Sequence, residues 1–271
     1  MTSCINSQTR LCISIAARPG NFGTRVHNAG FRALGLNYVY KACGCSDLAG
    51  AIAGVRALNI HGCSVSMPFK RDVLPLLDDV DEQARSIGAV NTIVNEHGRL
   101  RGFNTDVYAA TELLKQLAVP LDAGVLVLGA GGVARAIVSA MVQRGMSTIR
   151  VANRHQARGV ALATDFGVEV IEWDSRTMAP ADLLINATSV GMPPDGDAIP
   201  VPWPLAHRPR WLLDVVVAPG SSRLVRLASA AGVVVADGEA FAMAQAARQF
   251  ELYTGRPAPL AAMRAAVESE T

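Results

Sequence analysis

Long hydrophobic runs are missing from this chain of 271 residues: nothing in it approaches the roughly 18–20 uninterrupted apolar residues of a membrane-spanning helix. Aromatic residues are scarce, at 5%, which speaks against stacking platforms for single-stranded nucleic acid. Charge is sparse too. The 25 Lys and Arg against 23 Asp and Glu leave a formal +2, spread without a basic stripe. A protein that binds nucleic acid by displacing counterions needs such a stripe, so no nucleic-acid partner is expected. The five cysteines (Cys4, Cys12, Cys43, Cys45, Cys63) are odd in number, in a chain large enough to fold without staples. Reduced thiols and a cytoplasmic location are therefore expected. Cys43 and Cys45 flank Gly44, but no second Cys/His pair lies at zinc-site spacing, so no metal is expected. The apolar run at residues 11–17 follows a mostly polar start and reads as a buried strand rather than a signal-peptide core.

What is present is core-forming material. Half the residues are hydrophobic, and the length suits two domains of roughly 100–200 residues each. Short apolar runs alternate with helix-period segments, which predicts an α/β architecture with parallel strands. Strands are predicted near 11–17, 38–42, 63–67, 125–128, 148–152, 168–173, 182–187, 211–217 and 233–236. Helices are predicted near 25–34, 47–58, 106–116, 133–144, 222–231, 241–253 and 259–269. Residues 89–95 and 99–103 flank the turn pair His97-Gly98 and read as a β-hairpin. Asp106 reads as the N-cap of the helix that follows. The stretch 117–123, with Pro120, is the expected domain boundary, giving domains at 1–117 and 118–240 with residues 241–271 packing back on the first. The Pro-rich stretch 193–209 reads as a long loop.

The second domain opens with a fully apolar strand, then Gly129-Ala130-Gly131-Gly132-Val133-Ala134, then a helix. Glycines there permit a tight turn and close backbone approach to a pyrophosphate, which helix N-terminal N–H groups stabilise. Ala134 stands at the third, helix-packing position. At the end of the next strand a carboxylate would bind the ribose diol of NAD. The chain instead carries Asn153, Arg154 and, further on, Arg158. Two guanidiniums suit a 2′-phosphate, so the expected cofactor is NADP. On spacing alone the two arginines also fit a solvated helix start.

Removing a hydride from a secondary alcohol requires a group that takes the hydroxyl proton, and ketone reduction requires its return. Lys70 closes Val65-Ser66-Met67-Pro68-Phe69-Lys70 at a strand's C-terminal end, where α/β sites tend to open. Asp106, in Gly102-Phe103-Asn104-Thr105-Asp106, supplies a candidate carboxylate partner. By spacing alone Lys70 reads first as a surface lysine and Asp106 as a helix cap.

Taken in order, several segments resemble the shikimate dehydrogenase family, NADP-dependent enzymes of aromatic amino-acid biosynthesis. They are Val65 to Lys70, Gly88-Ala89-Val90-Asn91-Thr92, Gly102 to Asp106, Gly129 to Gly132, Asn153-Arg154, Asn186-Ala187-Thr188-Ser189-Val190-Gly191-Met192, and Asp237-Gly238 with Gln245-Ala246-Ala247. The resemblance spans nearly the whole chain. It implies an N-terminal α/β substrate domain, a C-terminal Rossmann-type parallel-sheet domain, and catalysis between them. It makes Lys70 the general acid/base and Asp106 its partner, both also bonding substrate hydroxyls. It assigns Ser66, Asn91 and Gln245 to the substrate. Gly129, Ala130, Gly131, Gly132 and Val133 would cradle the pyrophosphate, Asn153, Arg154 and Arg158 the adenosine phosphate. Thr188, Val215 and Gly238 would line the path to the nicotinamide.

Departures from the family pattern cluster where it binds the substrate carboxylate. Anchored on His27-Asn28, the two family serines fall on Asn21 and Gly23, and the family tyrosine falls on Val217. Losing two hydrogen bonds to a charged group costs roughly 1.5–3 kcal/mol each, or about 10–150-fold apiece. Asn21, Arg18, Thr24 or Arg25 are candidate replacements. Ser64 stands for the family's usual asparagine, and Phe241 for a frequent methionine. The pattern describes a divergent, shikimate-dehydrogenase-like branch.

The expected activity is the reversible reduction of 3-dehydroshikimate to shikimate with NADP, by a monomer or homodimer. The alternatives are a dehydrogenase of quinate or an aminated analogue, and a dinucleotide-binding module that has shed catalysis. A hydrolase is poorly supported, because no Gly-x-Ser-x-Gly elbow occurs and His61 near Cys63 lacks an orienting partner.

Overall fold

Two sets of short strands, each threaded with helices, build two units in the computed structural model, which describes residues 5–268. One unit holds the residues up to Thr105 and those from Met243 onward; the other is Asp106–Ala242. Cys4 and the predicted helix end at Ser269 lie outside the described residues.

The first unit runs β1 (Arg10–Ala16), α1 (Phe22–Ala33), β2 (Tyr38–Gly44), α2 (Leu48–Ala57), β3 (Gly62–Val65), β4 (Asp79–Val80), α3 (Glu82–Ile87), β5 (Thr92–Glu96) and β6 (Arg99–Phe103). Its sheet has the order β2-β1-β3-β5-β6-β4. β1, β2 and β3 are parallel, while β5 is antiparallel to both β3 and β6. The β5–β6 hairpin turns at His97 (φ 55°) and Gly98 (φ 90°), the paired positive φ values of a tight two-residue turn. One face of the sheet buries Ile13, Ile15, Cys63, Val65 and Ile93 with Ile52 and Val55 of α2. The other buries Cys12, Tyr40 and Val94 against Val26 and Phe31 of α1 and the C-terminal helices.

α4 (Thr105–Gln116) leads into the second unit: β7 (Val125–Leu128), α5 (Gly132–Gln143), β8 (Ile149–Ala152), α6 (Gln156–Phe166), β9 (Glu169–Ile171), β10 (Leu183–Asn186), β11 (Trp211–Asp214), α7 (Arg223–Ala230) and β12 (Val234–Ala236). Every pairing is parallel, in the order β12-β11-β10-β7-β8-β9. Taken from β9, that is the doubly wound dinucleotide-binding order, with its reversal between β7 and β10. β7 and β10 are buried on both faces, which is why they read as continuous apolar runs. The chain returns through α8 (Gly238–Thr254) and ends in α9 (Leu260–Glu268), which packs on α1.

Two local expectations need correction. The units divide at Thr105/Asp106, ahead of the Pro120 stretch. That stretch is tied into the second unit: Leu117, Val119 and Ala123 are buried, and Arg144 after α5 donates to the Val119 carbonyl at 3.1 Å. Asp106 is not the N-cap but lies in the first turn of α4, whose leading N–H, that of Thr105, is satisfied by Asn91 Oδ1 at 2.9 Å. A side chain distant in sequence does the capping.

Candidate active site

In the first unit, the segment after β3 carries Ser66 and Lys70, both half-buried. The backbone fixes it at both ends. Ser66 N–H donates to the Ile15 carbonyl at 2.9 Å, and Val90 N–H donates to the Lys70 carbonyl at 2.7 Å. Val65 N–H donates to the Asn91 carbonyl at 2.8 Å, so Lys70 and Asn91 belong to adjoining, mutually bonded segments. Asn91 is buried, and its Oδ1 accepts from Thr92 Oγ1 (2.8 Å), Thr105 N–H (2.9 Å) and Thr105 Oγ1 (3.2 Å). That oxygen is a structural hub.

Asn21 and Gly23 open α1. Asn21 sits at the N-cap position but makes no capping hydrogen bond with its side chain. Thr24, a candidate replacement donor, accepts Ala42 N–H on its hydroxyl at 3.1 Å and so is engaged with β2. Gln245 lies half-buried on α8, within the part of that helix belonging to the first unit. One turn further, Gln249 is buried and donates to Ser64 Oγ at 3.0 Å and Thr92 Oγ1 at 3.1 Å. His27 Nε2 lies 3.4 Å from Gln249 Oε1, which fixes the Nε2–H tautomer as donor. Burial lowers the His27 pKa to about 4, so the ring is neutral. Its place is in packing: it stacks on Tyr40 with ring centroids 4.4 Å apart.

Asp106 lies in the second unit and is buried. At the strand-order reversal, Gly129 follows β7 with φ 109°, and a Cβ there would stand 2.7 Å from the carbonyl oxygen of Ala187, the residue after β10. Only glycine fits. Gly131 faces open space, so a ligand can approach its backbone closely, and Gly132 begins α5. Ala134 is fully buried, which lets α5 lie close to the sheet. Thr188 follows β10, its hydroxyl donating to Asn186 Oδ1 at 2.7 Å. Val215 follows β11, and the buried Gly238 abuts the Val216 backbone.

Asp214, at the end of β11, accepts from Asn186 Nδ2 (3.0 Å), Val216 N–H (3.0 Å) and the Ser222 hydroxyl. Burial raises its pKa to about 6 against those bonds, leaving it ionised at neutral pH. Beyond β8, Asn153 donates to the His155 carbonyl at 2.8 Å, while the Arg154 and Arg158 side chains are exposed. At the start of α6, Gln156 donates its side-chain amide to Glu172 at 3.2 Å. These features fit a phosphorylated dinucleotide: a glycine turn closed to a side chain at Gly129 and open at Gly131, a helix start, and two exposed guanidiniums. Val217 is exposed and contributes no hydrogen-bonding side chain.

Neither Tyr40 nor Gln249 was singled out by sequence reasoning. A signal for Gln249 exists in its spacing from Gln245, four residues apart on one helix face. None marks Tyr40.

A doubly wound parallel sheet with a glycine turn at its reversal point defines a dinucleotide-binding unit. Comparison with known proteins extends this. A family model described as the shikimate dehydrogenase substrate binding domain matches residues 22–93. Models for shikimate / quinate 5-dehydrogenase and for the shikimate 5′-dehydrogenase C-terminal domain match residues 112–193 and 244–268. A shikimate dehydrogenase-like protein of Haemophilus influenzae is 41% identical over 252 residues, covering 92% of each chain. The NADP(+) shikimate dehydrogenase of Desulforamulus reducens is 34% identical, covering 96% of this chain and 95% of its own. The shikimate 5-dehydrogenase of Thermus thermophilus, solved in complex with NADP(H) and shikimate, has a TM-score of 0.86 at 33% identity, covering 97% and 99%. The chain belongs to the shikimate dehydrogenase family, NADP-dependent oxidoreductases acting on a hydroxyl group.

Proposed function

We propose that this protein catalyses the reversible reduction of 3-dehydroshikimate to shikimate, with Lys70 and Asp106 as its proton-handling groups. NADP supplies the hydride exchange. The Lys70 ammonium holds a proton at Nζ and passes it to the carbonyl oxygen as hydride arrives; in the reverse direction the neutral amine takes it from the hydroxyl. Asp106 is the carboxylate that accepts from a substrate hydroxyl. Ser66 and Gln245 bond further hydroxyls. Asn91, whose Oδ1 already serves three donors, contributes as a donor through Nδ2. Asn21 and Gly23 face the polar end of the substrate.

The glycine turn from Gly129 through Val133 holds the pyrophosphate, Asn153, Arg154 and Arg158 the 2′-phosphate, and Thr188, Val215 and Gly238 the approach to the nicotinamide. The observation that carries the reading is the bonding of the Lys70 segment to the Val90-Asn91 segment, which ties a proton carrier to a buried amide. Among the described residues Cys12, Cys43, Cys45 and Cys63 are free thiols, in keeping with a cytoplasmic enzyme. We read it as a monomer or homodimer with no nucleic-acid partner.

The test is NADPH formation from NADP+ and shikimate at mildly alkaline pH. No NADPH from shikimate, quinate or their aminated analogues, at high enzyme concentration, rejects the proposal. Quinate or an aminated analogue is the second reading, favoured by the lack of a side-chain donor at both Gly23 and Val217. A rival acid with kcat/KM more than about tenfold above that of shikimate, worth roughly 1.4 kcal/mol, would replace it.

A further inference from the structure

Asn186 and Asp214, the last residues of β10 and β11, are register partners, and both are fully buried. The Asp214 carboxylate divides its bonds by oxygen. Oδ1 accepts Asn186 Nδ2 at 3.0 Å and Val216 N–H at 3.0 Å, so one atom joins the turns that leave the two strands. Oδ2 accepts the Ser222 hydroxyl, and Ser222 Oγ caps α7 by accepting Val225 N–H at 3.2 Å. Oδ1 serves the turns and Oδ2 the scaffold.

Asn186 passes the constraint along the β10 side. Its Oδ1 accepts both Thr188 N–H (3.1 Å) and the Thr188 hydroxyl (2.7 Å), while Thr188 Oγ1 accepts Val190 N–H at 3.1 Å. On the β11 side, Val215 N–H donates to the Asn186 carbonyl at 3.1 Å. The Val216 peptide is backed by Gly238, where a Cβ would overlap the Val216 carbonyl. All of these residues lie in the second unit. Buried polar networks whose members are satisfied rigidify the backbone they join.

We propose that Asp214 is the positioning residue of the nicotinamide path: through Oδ1 it fixes the exits of β10 and β11 relative to each other, and so sets where Thr188 and Val215 stand. The inference rests on the reading of Thr188, Val215 and Gly238 as nicotinamide-facing. It makes the two halves of the cofactor separable, because Asn153, Arg154 and Arg158, read as holding the adenosine phosphate, lie beyond β8.

The experiment compares equilibrium binding of NADPH with that of adenosine 2′,5′-bisphosphate, the adenosine half of the cofactor, and reads Tm alongside, all on the full chain. Asp214→Ala should weaken NADPH binding by about tenfold and hold the bisphosphate within about twofold. Asp214→Asn keeps an oxygen for Asn186 and Val216, so its NADPH affinity should stay near that of the wild type. Ser222→Ala removes the Oδ2 partner and the α7 cap; it should lower Tm with the ratio of the two affinities unchanged. Asn186→Ala cuts the same link from the β10 side. It should reproduce the selective loss, and it serves if Asp214→Ala fails to fold. Val215→Trp crowds the path directly and should show the selective loss whatever holds the turns.

Where Val215→Trp is selective, an equal loss of both ligands in Asp214→Ala, or a loss of neither, overturns the proposal alone. Where Val215→Trp is not selective, the reading of the nicotinamide path fails and the proposal falls with it. A selective loss as large in Ser222→Ala or in Asp214→Asn overturns the assignment to Oδ1. Failure of the wild-type protein to oxidise shikimate bears on the proposed function instead, because no arm depends on turnover.

Discussion

The side-chain amide of Gln249 reaches Ser64 Oγ at 3.0 Å, joining α8 to β3 across a separation of 185 residues in sequence. With its contacts to Thr92 and His27, this one amide ties the C-terminal helix to the polar row of the first sheet. Gln249→Leu should therefore leave Ser64, Thr92 and His27 short of a buried partner. A loss of about 2–4 kcal/mol is expected from roughly 1–3 kcal/mol per orphaned group, partly relieved by repacking. Urea denaturation measures it through a lower midpoint at constant slope. A loss within the ordinary range of surface substitutions would show that the network contributes little.

His27 gives the first unit an acid-sensitive element. Its pKa falls from 6.5 in the unfolded chain to about 4 in the folded one, with burial as the cause. Between those values the unfolded chain binds a proton that the folded chain does not, so stability falls on acidification by about 3 kcal/mol in all. Asp214 in the second unit acts oppositely: raised from 3.8 to about 6, it adds stability as pH falls through that window. The reading must therefore be a difference. The stability gap between wild-type protein and His27→Gln should shrink as pH falls from 6.5 towards 4. A gap constant with pH would contradict the burial of a neutral ring.

Cofactor preference should reside in the exposed guanidiniums beyond β8. Arg154→Ala and Arg158→Ala are each expected to weaken NADP+ binding about tenfold or more, the scale of a charged hydrogen bond to phosphate. NAD+ binding should change little. Titration of both nucleotides against each variant checks this, and an equal loss for the two would remove the arginines from 2′-phosphate recognition.

Much of this architecture is written in short-range pattern. The apolar runs at β7, β10 and β11 and the glycine turn after β7 needed only local reading, because strands buried on both faces are apolar along their length, with a polar residue only at the C-terminal ends of β10 and β11. The hairpin was legible from His97-Gly98, a pair suited to positive φ. Less visible were features made by distant partners. Asp106 looks like a cap until Asn91 is seen to supply the capping oxygen. The short α3 (Glu82–Ile87) has too few turns to show a period. Tyr40 reads as an ordinary aromatic strand residue, and its contact with Gly23 arises only when α1 lies over β2.

Lys70 provides the most direct measurement. Replacing it with Met, of similar length and without charge, removes the proton carrier while leaving the glycine turn, Arg154 and Arg158 intact. General acid/base groups contribute about 10²–10⁴-fold, so kcat for shikimate oxidation should fall by that order, with NADPH affinity held within about twofold. Turnover retained by Lys70→Met at the wild-type rate would contradict the assignment.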